Sequence, residues 1–302
     1  MTFVLPIFKH HQPVRRNPHY PLLFLHIPKS AGTSLATGIQ NAIHPNSSII
    51  GGLDGILFGH FTAFSEFSSI EASRVYVGQN HLPAQADLVT GHFSYSHLTK
   101  VYPRGQVITI LREPTSRLLS HWLFWRSHNR DELAGVGSWA DIVLRAYDPL
   151  GKFLNDRDIY CQTDNLSVRM LLSPHPLIPV QDPIDPHNDT QLLMDAQKKL
   201  KRFAFVDVLE NSDMAKNLQD WLGVPFQLPH SNATRQINIR TSLCGELDSE
   251  TLSLLETRTR LDRVLWHEIV RRQQPGINSH SLERNAIMRS FSRSERLLTG
   301  GT

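Results

Sequence analysis

A short loop of small and polar residues, 28–34, has the composition of an anion-binding turn. Its sequence is Pro-Lys-Ser-Ala-Gly-Thr-Ser, and it follows the apolar run 22–27. The N–H groups and the dipole at a helix N-terminus both favour a bound anion, and a glycine lets the backbone approach it closely. Lys29 adds a positive charge. The pattern predicts a phosphate cradle, and an ordinary strand-to-helix turn with an incidental lysine is the alternative.

The order of residues in this loop differs from that of the P-loop in nucleotide hydrolases. The P-loop places its lysine between the last glycine and a Ser or Thr. Lys29 instead comes three residues before Gly32, and no glycine begins the loop. The loop therefore predicts anion binding without the usual nucleotide-hydrolase chemistry.

A second candidate anion site follows the β-branched run 106–111. Arg112 comes directly after this predicted strand, and Ser120 lies eight residues later on a helix that can begin at Pro114. Arginine offers a planar fork to a phosphate, and serine a short hydroxyl donor. The alternative is that Arg112 closes the strand and pairs with Glu113 or another carboxylate.

One of the 16 histidines is well placed to act as a general base. His92 follows the predicted strand 86–90 and lies between the two candidate anion motifs. Imidazole has a pKa near neutrality, so it can take a proton from an attacking hydroxyl. His97 is the second candidate and would orient the acceptor. The competing interpretation of His92 is a buried structural imidazole.

Alternating strand and helix patterns must position these residues. Predicted strands are 22–27, 74–77, 86–90, 106–111 and 203–206, and predicted helices are 35–43, 117–126, 212–222 and 248–272. Such alternation predicts an α/β fold with a mainly parallel central sheet flanked by helices. Ligands of these sheets bind at the carboxyl ends of the strands, where each motif falls. We expect a flexible arm over 1–20, one domain over 21–272 and a frayed polar tail over 273–302.

Composition excludes several classes of protein. The 302 residues carry 31 Lys+Arg and 28 Asp+Glu, and this net charge of +3 is too small to indicate nucleic-acid binding. The two cysteines cannot form a disulfide framework or a cysteine-rich metal site. No apolar run approaches the roughly 20 residues of a membrane span. We expect a cytoplasmic protein of a bacterial kind, whose oligomeric state the sequence does not indicate.

Three segments resemble motifs of one enzyme family. Residues 26–35, His-Ile-Pro-Lys-Ser-Ala-Gly-Thr-Ser-Leu, resemble the 5′-phosphosulfate-binding loop of sulfotransferases, above all of the carbohydrate sulfotransferase family that includes heparan sulfate 2-O-sulfotransferase. Residues 112–120 are similar to that family's 3′-phosphate motif, R-[DE]-P-x-x-R-x-x-S. Residues 91–95 look like its G-H-x-x-Y segment, which carries the catalytic base.

The resemblance implies a P-loop-like sulfotransferase fold and the donor 3′-phosphoadenosine-5′-phosphosulfate (PAPS), with no metal. By this comparison Lys29 contacts the 5′-phosphosulfate and also serves catalysis, His92 is the general base, and Arg112 and Ser120 hold the 3′-phosphate. The residues that wrap the 5′-phosphosulfate are Ser30, Ala31, Gly32, Thr33 and Ser34. Arg235 is a candidate 3′-phosphate partner, on a loop that would close over the nucleotide.

Three weaker matches lie in the second half of the chain. Residues 164–171 resemble a family segment, D-N-x-x-[ST]-R-x-L, that shapes the acceptor side, and a helix start capped by Asp164 is the alternative. Asp207 stands in a strand where the family has a small residue, which puts a close contact there in doubt. Asp262 fits a late D-x-x-L helix as a packing feature.

These observations predict an O-sulfotransferase whose acceptor is a hydroxyl, on a saccharide or polysaccharide by the family resemblance. A tyrosyl peptide, a lipid or a small metabolite stays open as acceptor. Two other functions remain as alternatives. A nucleotide-dependent kinase would use Asp207 at the end of an apolar strand to hold Mg²⁺, and a non-catalytic module would bind a glycan or nucleotide on the same fold.

Overall fold

A six-stranded, all-parallel β-sheet forms the centre of the computed structural model, which describes residues 15–58, 64–76, 82–229, 237 and 241–300. The strands are Leu22–Leu25 (β1), Ser48–Asp54 (β2), Val75–Tyr76 (β3), Leu88–His92 (β4), Gln106–Leu111 (β5) and Phe205–Val208 (β6). Their order across the sheet is β3-β2-β4-β1-β5-β6. The predicted α/β class with a mainly parallel sheet is confirmed.

Helices cover both faces of this sheet. Those of the described residues are Gly32–Ile43 (α1), Gly55–Phe58 (α2), Ser69–Ala72 (α3), Tyr95–Val101 (α4), Pro114–Arg126 (α5), Trp139–Leu144 (α6), Leu150–Leu154 (α7), Tyr160–Thr163 (α8), Leu166–Leu172 (α9), Asp189–Leu200 (α10), Met214–Leu222 (α11), Leu243–Glu246 (α12), Ser249–Gln273 (α13) and Ser279–Thr299 (α14). None of them combines the length and apolarity needed to cross a membrane.

The central strand β1 is buried on both faces, as its unbroken apolar sequence predicts. Side chains alternate across a strand, so Leu22 and Phe24 pack with α1 and α11, while Leu23 and Leu25 pack on the opposite face. Burying each of these side chains contributes roughly 1.5–3 kcal/mol. The burial fixes β1 as a rigid support for the loop that follows it.

The carboxyl end of β1 lies between those of β4 and β5. Leu25 is paired with Gly91 of β4, and Phe24 with Ile108 of β5. From β1 the chain runs through α1 to β2 on one side of the sheet, whereas β5 pairs with β6 on the other side. Ligands of parallel sheets bind at such a topological switch point. The three sequence motifs therefore meet at one edge of the sheet.

Strand β2 was not predicted, since residues 46–69 show no clear hydrophobic period. It pairs with β4, and its register shifts between Ile49 and Gly52. The shift brings the two backbones close: a Cβ at Gly91 would lie 2.2 Å from the carbonyl oxygen of Gly52. Gly91 is thus required for β2 to reach the sheet, and β2 in turn delivers Asp54 to the same edge.

The two ends of the chain differ from the prediction in part. Instead of a frayed tail, residues 279–299 form α14, which Asn278 caps through a hydrogen bond to Ser281 N (3.0 Å). Ala286 and Leu298 are buried on this otherwise polar helix, and the Ser116 hydroxyl of α5 donates to the Ala286 carbonyl.

Of the predicted N-terminal arm, residues 15–20 are described, and Arg16 N donates to Trp221 O at 2.8 Å.

We expect Gly91→Ala to destabilise the protein by about 1–3 kcal/mol, because its methyl group would meet backbone that cannot move aside cheaply. Chemical denaturation monitored by circular dichroism measures the change. Gly245→Ala is the matched control, since a Cβ there meets no atom within 4 Å. Equal stability of both variants would contradict the close β2–β4 approach.

Candidate active site

The loop after β1 has the backbone conformation of an anion-binding turn. Lys29 (φ 67°) and Ala31 (φ 57°) are left-handed, whereas Ser30 between them is not, and α1 begins at Gly32. Alternation of this kind turns successive N–H groups towards one concave side, where they attract an anion. Left-handed non-glycine residues are uncommon and concentrate at functional sites. The loop therefore has the shape that its sequence predicted.

Two basic side chains lie close to Lys29. The Arg112 guanidinium donates through Nη1 to the Lys29 carbonyl oxygen at 3.0 Å, and Arg293 approaches from α14. Burial and the charges of Arg112 and Arg293 lower the pKa of Lys29 to about 7. The Lys29 Nζ also lies 3.7 Å from the centroid of the Phe124 ring. These contacts concentrate positive charge at the carboxyl ends of β1 and β5.

The carboxylates nearest Arg112 are already engaged. Glu113 caps α5 by accepting hydrogen bonds of 2.7 and 2.9 Å from two N–H groups of its first turn. Glu210 accepts from Glu113 N (2.9 Å) and from Trp266 Nε1 (3.0 Å). Burial lowers the pKa of Arg112, and the negative charges of both acids partly offset this effect. Arg112 is therefore near two carboxylates, yet its hydrogen bond goes to the Lys29 loop.

His92, at the end of β4, presents one ring nitrogen for proton transfer. Its Nδ1 lies 2.7 Å from the His26 carbonyl oxygen. Since a carbonyl only accepts, Nδ1 carries the hydrogen, and the lone pair of the neutral ring is on Nε2. Burial, together with the charge of Lys29, lowers the pKa of His92 despite this hydrogen bond. At pH 7 His92 is a neutral imidazole able to accept a proton.

The His26 ring fills the space between His92 and α1. Its centroid is 4.4 Å from that of His92, and a Cβ at Gly32 would lie 1.8 Å from two atoms of the His26 ring. Burial, followed by the proximity of His92 and Lys29, holds the pKa of His26 well below its usual value. Gly32 is therefore needed for the histidine pair.

A histidine–carboxylate pair, Asp54 with His97, lies beside the paired ends of β2 and β4. Asp54 accepts hydrogen bonds from Ser94 N (3.0 Å) and Ser94 Oγ (2.8 Å), and its other oxygen is 3.2 Å from His97 Nδ1. Burial opposes the charge, but the adjacent His97 imidazole and the hydrogen bonds from Ser94 hold the pKa of Asp54 below its usual range. The pair fixes the position of His97 on α4, five residues after His92 at the end of β4.

Several buried polar atoms near this edge have no hydrogen-bond partner within the described part of the chain. They are Ser30 Oγ, Arg117 Nε and Nη1, and both ring nitrogens of His121. Such atoms are uncommon in protein interiors. Arg117 is close enough to Asp262 for that carboxylate to oppose the effect of burial, which lowers the pKa of Arg117 to about 10. The loop and α5 thus carry buried polar atoms that are able to hydrogen-bond a ligand.

The other residues predicted to bind the donor differ in their exposure to solvent. Ser30 and Ser34 are buried, Thr33 is exposed, and Ser120 is half-buried on α5, the helix against which α14 packs. Arg235 lies outside the described residues, so the predicted closing loop has no structural description. The structure brings together Lys29, Arg112 and His92 and leaves the contribution of Ser120 as a prediction.

The weaker motifs of the second half form buried supports. The Arg169 guanidinium donates to the Asp164 carboxylate at 2.7 Å and to its carbonyl oxygen, and Asp262 accepts from two N–H groups at the start of α9. Asp207 accepts from the side-chain amides of Asn211 and Asn217 at 3.0–3.1 Å. Each of these carboxylates stabilises backbone or a neighbouring element.

Three residues of the site were not assigned a role from the sequence. Asp54 was missed together with β2, and Arg293 was missed because the C-terminal segment is rich in arginine. Asn278 and Gly300 are capping signals at the two ends of α14, and they could have indicated that Arg293 lies on a helix. His26 belongs to the first motif, but the contact of its carbonyl oxygen with His92 depends on how β1 and β4 pair in three dimensions.

In comparisons with known proteins, no protein-family model matches the chain, and no curated protein is significantly similar to it. Any functional argument must therefore be carried by the residues and the geometry described above.

We expect Lys29→Met to increase the free energy of unfolding at pH 7 by about 1 kcal/mol, since it removes a buried cation from beside Arg112 and Arg293. The depressed pKa also has a pH signature. Between about pH 7 and pH 10.5 the unfolded chain holds the lysine proton and the folded chain does not, so wild-type stability should rise with pH.

Denaturation of both proteins from pH 6 to pH 10 measures this difference, and Lys29→Met should lack the rise. Lys216→Met, at an exposed position of α11, is the control and should follow the wild type. A variant less stable than wild type at every pH would show that Lys29 is a structural residue.

Proposed function

We propose that this chain is a PAPS-dependent O-sulfotransferase, which moves the sulfuryl group from PAPS to an acceptor hydroxyl. One observation carries the proposal: Arg112 donates to the backbone carbonyl of Lys29 at 3.0 Å, which joins the two anion motifs into one basic site. A donor with phosphate at both its 3′ and 5′ positions requires two adjoining anion sites. The neutral His92 beside them supplies a base.

The reaction is an in-line displacement at sulfur. His92 Nε2 takes the proton of the acceptor hydroxyl while the hydroxyl oxygen forms a bond to sulfur. The bond between sulfur and the 5′-phosphate oxygen breaks, and the phosphate leaves with the electron pair. Lys29 stabilises the charge that develops on this oxygen. An anionic donor raises the pKa of Lys29 above its depressed value, so the bound enzyme carries the ammonium form.

Each motif has a place in donor binding. The backbone N–H groups of the loop, with the hydroxyls of Ser30, Thr33 and Ser34, surround the 5′-phosphosulfate. Arg112 and Ser120 bind the 3′-phosphate, and Arg235 is a further candidate partner of this phosphate. His97, held by Asp54 at 3.2 Å, orients the acceptor beside His92.

The acceptor is a hydroxyl of a saccharide or polysaccharide. This part of the proposal depends on the resemblance of residues 26–35, 91–95 and 112–120 to the carbohydrate sulfotransferases. Transfer of labelled sulfate to saccharides, tyrosyl peptides and lipids in one screen identifies the acceptor.

The kinase alternative requires a carboxylate for Mg²⁺, and Asp207 was its candidate. Asp207 lies on the edge strand β6 and accepts hydrogen bonds from Asn211 and Asn217, while burial raises its pKa. These contacts favour a structural role for the carboxylate. They support PAPS over a Mg²⁺-bound nucleotide as the phosphorylated ligand.

We expect 3′-phosphoadenosine-5′-phosphate to raise the melting temperature, and ATP–Mg²⁺ to have a much smaller effect. Lys29→Ala and Arg112→Ala should each weaken binding about 10- to 100-fold, since each removes a charged partner of a phosphate. Calorimetric titration gives the affinities. Arg130→Ala is the control, because Arg130 is an exposed arginine paired with Asp141. Stabilisation by ATP–Mg²⁺ alone would refute the proposal.

We expect His92→Ala to lower kcat by about 10²- to 10⁴-fold while 3′-phosphoadenosine-5′-phosphate binding stays nearly unchanged, because the base acts only on the acceptor proton. With saturating donor, the wild-type rate should fall on the acid side, below pH 6.5, as His92 becomes protonated. Labelled-sulfate transfer to the acceptor found by the screen is the assay. His187→Ala, at a fully exposed histidine, is the control. Full activity of His92→Ala would remove His92 as the base.

A further inference from the structure

Three potential metal ligands converge where α13 meets α14. His267 lies near the end of α13, and His280 and Glu283 lie three residues apart at the start of α14. His267 Nε2 is 3.0 Å from Glu283 Oε2, and His280 Nδ1 is 3.7 Å from the same oxygen. The three ligand atoms all lie within 4.8 Å of one another. Two imidazoles thus face one carboxylate oxygen.

These spacings suit a small divalent ion. Bonds of about 2.0–2.1 Å to a tetrahedral zinc ion place neighbouring ligand atoms roughly 3.3 Å apart. The separations of 3.0 and 3.7 Å bracket that value. The two ring centroids are 4.4 Å apart, so both imidazoles are within reach of a single ion.

The carboxylate of Glu283 is held in the orientation that a ligand needs. Arg263 Nε lies 3.1 Å from Oε1, which leaves Oε2 facing the imidazoles. Partners of this kind orient metal-binding carboxylates. Burial opposes the charge of Glu283, but His267, Arg263 and His280 together keep its pKa below the usual value. The carboxylate is therefore ionised at neutral pH.

The three side chains differ in exposure in a way that leaves one side open. The side chains of His267 and Glu283 are 8% and 13% exposed, whereas that of His280 is 70% exposed. Nε2 is the nitrogen of His267 that faces Glu283, while its Nδ1 has no hydrogen-bond partner within the described residues. Water can complete the coordination from the solvent side.

We propose that His267, His280 and Glu283 bind a divalent transition-metal ion, such as Zn²⁺, that clamps α14 to α13. Two imidazoles and one carboxylate suit zinc and its neighbours, whereas Mg²⁺ and Ca²⁺ prefer all-oxygen sites. The site is separate from His92 and does not depend on the proposed function. Because α14 carries Arg293 and packs on α5, the ion would hold the helix that brings this arginine to the Lys29 loop.

Calorimetric titration of Zn²⁺ into the chelator-treated full chain tests the proposal. We expect saturable binding of one ion per chain and a higher melting temperature with the ion. His280→Ala and Glu283→Gln should each weaken binding at least about 10-fold. Co²⁺ gives a second readout, since its visible absorption reports the ligand environment.

Two controls make the result decisive. His187→Ala removes an exposed histidine whose Nδ1 lies 2.8 Å from Asp185 but which has no third ligand nearby within the described residues, and it should leave binding unchanged. His10→Ala with His11→Ala removes the adjacent histidines of the N-terminal segment. Zinc binding that survives both His280→Ala and Glu283→Gln, or that is lost in the His10/His11 variant instead, would overturn the proposal.

Discussion

Crowding of like charge beside a buried strand end is the constraint on which this part of the molecule depends. Lys29, Arg112 and Arg293 come from three different elements; the charges of Arg112 and Arg293 lower the pKa of Lys29, and that of Arg293 lowers the pKa of Arg112. Repulsion between poorly solvated cations opposes folding, so the surrounding structure must hold them in place. A bound anion would relieve the repulsion, which links the stability of the loop to its occupancy.

The supports around the cluster are hydrogen-bonded carboxylates. Glu113 caps α5, Glu210 accepts from Glu113 N and Trp266, and Asp262 accepts from the first turn of α9. A carboxylate that accepts several hydrogen bonds is held in one orientation and cannot swing towards a nearby cation. The acids therefore moderate the positive charge from fixed positions, and the basic groups stay directed at the edge of the sheet.

The sequence predicted those parts of the fold that depend on local pattern. Apolar or β-branched runs predicted β1 and β5, and the turn of small residues predicted the loop at 28–34. Strand β2 could not be predicted because Gly51 and Gly52 interrupt its pattern, and its formation depends on the close approach to Gly91. Long-range pairing of this kind leaves no periodic signal.

For the candidate site, the sequence predicted the residues that directly follow strands but not those that depend on long-range packing. Lys29, Arg112 and His92 were found because each follows a predicted strand, and parallel strands bring such positions together. Arg293 could not be found in this way, since it reaches the loop from a helix more than two hundred residues further along the sequence. The hydrogen bond from His92 to His26 depends on strand register, which a single sequence does not specify.

The packing of the His26 ring on Gly32 has a consequence for how this sequence can vary. An aromatic ring at position 26 excludes every side chain at position 32, because even a methyl group would overlap the ring. A smaller residue at 26 would release that restriction but would also remove the ring beside His92. The two positions should therefore change together in evolution, and a glycine at 32 in a distant relative is informative only when read with the residue at 26.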